Sequence, residues 1–436
     1  MTKLLKLTGI LCLFASLAAF AQDSPAPVPP IAGDGGRDAP EADLPYSTLR
    51  YNSTSGTSFV GSSYLSSKLG LSYLYDSYLG DSAAEPYGSF TLVQRGNKRD
   101  TEITYAGGAN IHSRQSEYDT QYQRLVVSET FNGARWRVTT ADQFLYLPNS
   151  AYGSSADGGL SSQMIQILEL LLPNDSFLQE RGQQYMNAVF ANADRTLSRK
   201  FSVHGGFNYS LLQYIDSGLV GLQAYQGSGG LTRLIRKQDS IAVDYTGTRT
   251  DFSGSTTMVS NKVALTYTHS FRNRATLTLG IGPETVRLEN PGQPDFIRTL
   301  VDGSASLNWQ TRKVDTSLSY SHNSGGGSGL LRGAEIHTAT VAATHRVARV
   351  WTPGLHGGFS NVSELSSVLT TGTPISYSSY YTGCSVSREI GRTMLFHLNY
   401  DFQYQNENQR AVSASTFRRN AVLAGLTYNL RPISLR

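Results

Sequence analysis

Residues 394 to 404, MLFHLNYDFQY, alternate between two kinds of side chain. An extended chain would carry one set on each face: Met394, Phe396, Leu398, Tyr400, Phe402 and Tyr404 against Leu395, His397, Asn399, Asp401 and Gln403. A period of two predicts a β-strand between two different environments. Strands of soluble domains usually have about 5 or 6 residues, whereas a strand that crosses a bilayer needs about 9 to 11. The length of this segment therefore favours a membrane-spanning strand over a strand of a soluble sandwich.

Similar segments fill the chain from about residue 62 to 430. Clear examples are FSVHGGFNYSL, KVALTYTH and VDGSASLNW, which begin at residues 201, 262 and 301. We count about 18 segments, with about 16 as the alternative count, and a bacterial barrel with both chain ends in the periplasm requires an even number. The sequence therefore predicts an all-β fold, a transmembrane antiparallel up-and-down β-barrel of about 18 strands.

The composition excludes several other classes of protein. Only 16% of the residues are charged and 39% are hydrophobic, which disfavours a typical cytosolic enzyme. The net charge of +4 and the lack of a long Lys/Arg tract argue against nucleic acid as a partner. No apolar run after residue 21 approaches the roughly 20 residues of a spanning helix, so an α-helical membrane protein is excluded.

The first 21 residues have the features of a secretory signal peptide. Lys3 and Lys6 precede a short apolar stretch, and AFA at 19 to 21 is a small-x-small cleavage pattern. We predict cleavage before Gln22. A retained membrane anchor is the alternative.

Residues 22 to 61 are rich in Pro, Ala, Gly and Asp, without an apolar period, and predict a flexible periplasmic linker before a barrel over residues 62 to 436. A peptide that docks on a periplasmic partner is the functional alternative. After cleavage only Cys384 remains, and a single thiol makes no internal disulfide. Stability in an exported compartment must then come from backbone pairing.

The connections between segments alternate in chemistry. Every second one is short and basic: RGNKR, NGAR, SRK, RKQD, FRNR, QTRK, HRVAR and REIGR, which begin at residues 95, 132, 198, 236, 271, 310, 345 and 388. The others are longer and mostly acidic or neutral. Short periplasmic turns and longer outward loops are expected of an outer-membrane barrel. The basic turns would contact anionic lipid headgroups, so outer-membrane lipids are predicted partners.

Large aromatic residues cluster beside the basic turns. They are Trp136, Phe201, Phe271, Trp309 and Trp351. This placement predicts one periplasmic aromatic girdle at the membrane interface. Aromatic side chains that fill a soluble core are the alternative.

The last segment, NAVLAGLTYNL at 420 to 430, places Gly425, Tyr428 and Leu430 near the chain end. With the strands, turns and girdle, the sequence resembles the porin-like outer-membrane β-barrel proteins of Gram-negative bacteria. Their C-terminal assembly signal is similar to this segment, which implies that the barrel-assembly machinery is a partner. Those proteins end in an aromatic residue, whereas this chain continues as RPISLR.

The connection over residues 148 to 183 is the longest and contains SSQMIQILELLLP. Its polar stripe is formed by Gln163, Gln166 and Glu169, and Pro173 ends the predicted helix. In porins, a long loop at this place in the strand order narrows the channel, and the resemblance implies the same here. A helix that caps the extracellular mouth is the alternative.

Charged and polar residues mark the predicted lumen face. The pore-lining candidates are Asp194, Asp244, Asp302, Asp315, Asp401, Lys262 and Asn399, and Asp76, Glu102 and Asp142 are assigned to the same face. An acidic lumen would favour cations. The alternative is that these carboxylates pair with bases across the barrel.

One pattern points to catalysis. His322 and Ser324 lie two residues apart, and Glu335 is on the next segment. The pair resembles the His-x-Ser of outer-membrane phospholipases and lipid A deacylases, in which His activates Ser. Those families have Asn after the serine, whereas this chain has Gly325. We therefore predict no enzyme and no catalytic residues.

The sequence also predicts no cofactor and no metal site. The other histidines are scattered without zinc-ligand spacing: His112, His204, His269, His337, His345, His356 and His397.

The predicted function is an outer-membrane, porin-like channel for passive diffusion of small hydrophilic solutes. The alternatives are the barrel of a polysaccharide or lipid export system, a structural scaffold, or a lipid hydrolase that uses His322 and Ser324. The sequence leaves open whether the barrel forms a homo-oligomer.

Overall fold

The computed structural model describes the chain from residue 63 to 435 with internal gaps. The described residues are 63–77, 80–114, 116, 119–147, 184–215, 221–253, 256–271, 274–292, 294–325, 333–347, 350–365, 376–408 and 416–435. The predicted signal peptide, the whole predicted linker and the long connection with Gln163, Gln166 and Glu169 lie outside these residues.

The described chain forms nineteen β-strands. They are β1 (Ser63–Asp76), β2 (Asp81–Arg95), β3 (Arg99–His112), β4 (Thr120–Asn132), β5 (Trp136–Leu147), β6 (Gln184–Thr196), β7 (Phe201–Tyr214), β8 (Leu222–Arg236), β9 (Asp239–Phe252), β10 (Thr257–Phe271), β11 (Ala275–Glu289), β12 (Phe296–Gln310), β13 (Val314–Gly325), β14 (Ala334–His345), β15 (Trp351–Glu364), β16 (Ser376–Ile390), β17 (Met394–Asn408), β18 (Thr416–Asn429) and β19 (Ile433–Leu435).

Each strand from β1 to β18 pairs antiparallel with the next, and β18 pairs with β1. The sheet is therefore a closed, up-and-down barrel of 18 strands, which confirms the predicted fold class and strand number. Closure pairs both end strands, β1 and β18, with each other, so neither is an unpaired edge strand. The RPISLR extension adds the three-residue β19, which pairs with Ser63–Leu65 at the start of β1.

No helix in the described part of the chain is long and apolar enough to cross a membrane.

The two ends of the barrel differ in their connections. At the end where β1 begins and β18 ends, successive strands are separated by two to five residues. We call this the turn end. At the opposite end, the loop end, four to 36 residues separate successive strands. This asymmetry follows the alternation of connections in the sequence.

The two faces of the wall differ in chemistry. In β1, Leu71, Tyr73 and Tyr75 are between 47% and 58% exposed, whereas Ser72, Leu74 and Asp76, which alternate with them, are buried. The exposed apolar side chains recur on the same face of the other strands, which we call the outer face. The opposite face is the lumen face, and near the turn end it carries mainly Ser, Thr, Asn, Asp and Gly.

On β5 to β9 the lumen face near the loop end carries a row of apolar residues, which differs from the polar lumen that the sequence predicts. In the register, Leu145 pairs with Met186, Met186 with Leu212, Leu212 with Leu222, and Leu222 with Phe252. The row belongs to a buried cluster with Tyr87, Tyr122, Ala188, Met258, Val286, Leu288, Leu300 and Leu365. The alternation of side chains along each strand places these residues inward. Only the pairing register between the strands shows that they are neighbours.

Candidate functional site: the lumen wall

All seven predicted pore-lining residues lie on the lumen face. The register aligns Asp194 with His204, Gly230 and Asp244 along one row of neighbouring strands. The same reasoning places the other candidates on this face: Lys262, Asp302, Asp315, Asn399 and Asp401. Their role in solute passage stays a prediction.

The assignment of Asp142 to the lumen is wrong. Asp142 pairs with Val127 on the outer face of β4, and its Oδ1 accepts a hydrogen bond of 2.8 Å from Nδ2 of Asn187. Polar residues occur on both faces of β5, WRVTTADQFLYL, so the alternation alone does not orient this strand. The register does, because Asp142 shares a face with Trp136 and Phe144.

Several lumen carboxylates lie beside bases, as expected from the alternative to a strongly acidic lumen. His204 Nε2 lies 2.7 Å from Asp244 Oδ1, and His356 Nε2 lies 2.7 Å from Asp401 Oδ1. Lys262 Nζ lies 2.7 Å from Asp302 Oδ2. Each pair joins strands that are separated by one further strand. The negative charge of the wall is therefore partly compensated.

A glycine on the intervening strand makes both histidine pairs possible. Gly230 lies between His204 and Asp244 in the register, and Gly383 lies between His356 and Asp401. A Cβ at either glycine would overlap both the imidazole and the carboxylate. The glycines thus leave room for two side chains to meet above the intervening strand.

Gly425, one of the predicted assembly residues, has the same arrangement. It lies between His397 and Ser72, whose Nε2 and Oγ atoms are 3.4 Å apart. Tyr428 is 45% exposed on the outer face, and Leu430 N donates to Ser67 O at 3.0 Å. Recognition of these residues by assembly machinery stays a prediction.

The closing strands carry several buried polar contacts on the lumen face. Arg419 Nη2 lies 2.7 Å from Asp76 Oδ2. Tyr87 reaches over Gly70 and bonds Thr427 at 2.5 Å. Glu85 is fully buried, and neither of its carboxylate oxygens has a hydrogen-bond partner among the described residues. The sequence pattern does not predict these polar contacts, because they join strands from opposite ends of the chain.

The wall divides between β12 and β13. Their pairing runs from Gln310↔Asp315 to Gly303↔His322 and stops there, although both strands continue toward the loop end. Beyond that point β13 remains paired only with β14. The described loop end of the β13–β14 hairpin therefore separates from β12.

The separated hairpin end lies on the lumen side of β11 and β12. Ser324 N and Oγ both donate to the carboxylate of Glu284, and Arg298 Nη2 lies 2.8 Å from Glu335 Oε2. Glu284 and Arg298 are lumen-face positions, whereas Ser324 and Glu335 are outer-face positions of the hairpin. These contacts require the outer face of the hairpin to meet the inner face of the wall.

Apolar contacts also join the hairpin end to the lumen wall. The Gly333 Cα region approaches Leu288 and Met258 so closely that a Cβ at Gly333 would lie 3.1 Å from Leu288 Cδ2 and 3.4 Å from Met258 Sδ. Leu365 N donates to Gly333 O at 3.2 Å, and its side chain joins the apolar lumen cluster. The hairpin end therefore narrows the lumen within the described part of the chain.

The described contacts of His322 and Ser324 do not support the catalytic hypothesis. The Ser324 hydroxyl donates to Glu284, and His322 Nε2 lies 3.0 Å from Glu335 Oε1. A serine nucleophile needs a hydrogen bond to its base, and this pair does not form one. A spacing of two residues along a strand places His322 and Ser324 on one face, but it does not show which groups their polar atoms contact.

The five predicted girdle residues all lie at the turn end and are exposed. Their exposed fractions run from 36% for Phe201 to 51% for Trp309. Arg233 stacks over the Phe201 ring at 5.5 Å, and Arg388 over the Trp351 ring at 5.0 Å. Aromatic rings with a cation beside them suit a boundary between acyl chains and headgroups.

No protein-family model and no curated protein matches the sequence. Solved structures of similar fold include Acinetobacter baumannii OccAB4, at 7% identity over 85% of this chain and 98% of that one, with a TM-score of 0.46. Pseudomonas aeruginosa OpdQ matches at 10% identity over 85% and 99% of the two chains, with a TM-score of 0.43. The ferric-catecholate import receptor Fiu from E. coli K12 matches at 8% identity over 85% and 82%, with a TM-score of 0.45.

Proposed function

We propose that the protein is an outer-membrane channel for the passive diffusion of small hydrophilic solutes. The observation that carries this proposal is a lumen wall of paired polar and charged groups, formed by the Lys262–Asp302 ion pair and the His204–Asp244 and His356–Asp401 contacts. Charged groups are seldom placed on a face that packs as a dry core, because their desolvation is costly. A barrel of this strand number is wide enough to enclose water.

The paired wall supports a weak cation preference rather than a strong one. Asp194 and Asp315 add negative charge to the lumen face beside the ion pairs, and they have no ion pair within 4.0 Å among the described residues. Charged linings set the preference of a pore. The hairpin end with Ser324 and Gly333 narrows the passage, and residues 148 to 183 remain a predicted second constriction.

The proposal includes export, signal-peptide cleavage before Gln22 and insertion through the barrel-assembly machinery. Lipid contact at the turn end is supported by the exposed girdle and by the two stacked arginines, Arg233 and Arg388. Each such cation near an anionic surface contributes about 1 kcal/mol.

The test is conductance of the full mature chain, reconstituted in planar bilayers without other proteins. We expect discrete single-channel steps and a reversal potential that favours cations in a salt gradient. Liposome swelling with neutral sugars of increasing size then measures the passage. Membranes that contain the inserted barrel but show neither conductance nor swelling would remove the channel function.

The export alternative is favoured by one observation, the apolar row from Leu145 to Phe252 on the lumen face. The residues of this row are each 5% exposed or less, so the row would bind an amphipathic cargo only after the groups that cover it move aside. Swelling that is absent with sugars, together with binding of a fluorescent acyl probe inside the barrel, would support lipid or lipopolysaccharide export instead.

A further inference from the structure

The imidazoles of His322 and His337 lie face to face on neighbouring strands. The two residues are directly paired in the β13–β14 register, and their ring centroids are 4.1 Å apart with an angle of 3° between the planes. Glu335 lies on the same face of β14 as His337, and its Oε1 is 3.0 Å from Nε2 of His322. One ligand atom from each of the three residues lies within 4.8 Å of the other two.

We propose that His322, Glu335 and His337 bind a divalent transition-metal ion such as zinc, nickel or copper. Two imidazoles and one carboxylate form a donor set that suits these ions. Two ligand bonds of about 2.1 Å that meet at a tetrahedral angle place their donor atoms about 3.4 Å apart. The donor atoms lie within 4.8 Å of one another, and side-chain rotations that turn the two stacked rings toward a shared ion would reach that geometry.

Neighbouring residues hold the donors in place. Tyr320 Oη lies 3.3 Å from Nδ1 of His337, which leaves Nε2 of that ring for the ion. Arg298 Nη2 occupies the other carboxylate oxygen of Glu335, at 2.8 Å from Oε2, so Oε1 is the oxygen that faces the histidines. Metal-binding histidines and carboxylates usually have such partners, which fix the tautomer and the orientation.

The cluster is sheltered but accessible. The side chains of His322 and Glu335 are 19% and 16% exposed, so their donor atoms can be reached from the protein surface. The site lies where the β12–β13 ladder ends, because Gly303↔His322 is its last pair. A bound ion would cross-link the strands of the hairpin at the point where the hairpin leaves the wall.

This proposal does not depend on the channel function. Metal binding is measured directly, and a barrel without conductance would still bind the ion. The full mature chain without a polyhistidine tag is titrated in detergent micelles with Zn²⁺, Ni²⁺ and Cu²⁺. We expect one equivalent per chain, and an electron paramagnetic resonance spectrum of the Cu²⁺ form with two nitrogen ligands.

Variants identify the ligands. We expect His337→Gln to weaken the affinity at least tenfold and to remove one nitrogen from the Cu²⁺ spectrum. The matched control is His345→Gln, which changes an exposed histidine on the same face of the same strand, at the turn end. It should leave the affinity unchanged. Equal affinity in the wild type and in His337→Gln would overturn the proposal, as would a Cu²⁺ spectrum without two nitrogens.

A second measurement covers variants that do not fold. Wild-type protein is treated with diethylpyrocarbonate with and without Zn²⁺, and the modified histidines are identified by mass spectrometry. Zn²⁺ should protect His322 and His337 while His345 stays reactive. Equal modification of all three in the presence of Zn²⁺ contradicts the site.

Discussion

Arg419 donates from Nε and Nη2 to Oδ2 of Asp76, at 2.8 and 2.7 Å, across the two strands that close the barrel. The two side chains are only 4% and 7% exposed. A buried ion pair contributes little net stability because both charges lose their hydration. Removing one partner lowers the stability of the protein strongly, however, because the charge of the other partner remains buried and uncompensated. The closing seam therefore depends on both residues.

We expect Arg419→Ala to lower the free energy of unfolding by about 3 to 5 kcal/mol, the usual cost of breaking a buried pair. Arg418→Ala is the matched control, because Arg418 stacks over Phe402 on the outer face at 5.5 Å. Its loss should cost under about 1 kcal/mol. Urea unfolding in detergent micelles, followed by the electrophoretic shift of the folded barrel, measures both. Equal effects of the two substitutions would contradict a structural role for the buried pair.

Gly383→Ala tests the space that lets His356 meet Asp401. A Cβ at Gly383 would overlap the ends of both side chains and force them apart, so we expect a loss of about 0.5 to 1.5 kcal/mol, the usual contribution of one hydrogen bond. Gly227→Ala is the control, since nothing lies within 4 Å of a Cβ at that strand position. It should be neutral or slightly stabilising, because Gly in a strand interior is unfavourable. Thermal unfolding of the two variants gives the comparison, and a neutral Gly383→Ala would argue against the steric explanation.

Lys262→Met removes the base that compensates Asp302. One additional unpaired charge about 8 Å from a passing ion contributes about 0.5 kcal/mol in water, or roughly a twofold change in the permeability ratio. We expect the reversal potential in a salt gradient to move toward cations. Asp302→Asn should move it in the opposite direction. If both substitutions leave the reversal potential unchanged, these residues do not line the conducting path.

Glu284→Ala releases the hairpin end from the wall. Glu284 accepts hydrogen bonds from both Ser324 N and Ser324 Oγ, and bonds to a charged group contribute about 1.5 to 3 kcal/mol each. We expect a larger single-channel conductance, with more frequent transitions between levels, because the hairpin end can leave the lumen. Glu289→Ala, on the exposed outer face of the same strand, is the control and should conduct like the wild type. A conductance for Glu284→Ala that equals the control would show that the hairpin does not limit the pore.

Cleavage before Gln22 is tested by the intact mass of protein extracted from outer membranes. The expected mass lacks the first 21 residues. Protein that retains these residues in the inner membrane would support the anchor alternative.

The strands were predictable because each one spans two environments. Segments such as MLFHLNYDFQY keep a strict period of two, so the period gives both the strand and its two faces. The short basic turns were predictable for the same reason, since they interrupt that period at regular intervals. Asp142 was misplaced where the period fails, in a strand with polar residues on both faces.

The contacts between side chains were not predictable in this way. His337 has no zinc-ligand spacing along the chain, yet the register pairs it with His322. Ser324 shares a face with His322, yet it bonds to Glu284 on β11, because the hairpin separates from β12. Neither the register nor the separation appears in the spacing of residues along the chain.

By itself the sequence determined that the chain forms a barrel of about 18 strands, with an apolar outer face and basic turns at one end, because these properties depend on local period and composition. Only the tertiary structure decided which lumen charges meet, where the lumen becomes apolar and narrow, and that Glu85, Asp76 and Arg419 lie together. Those outcomes depend on pairing between strands that are distant in sequence. A change of one residue in that register would reverse the face of every side chain in a strand.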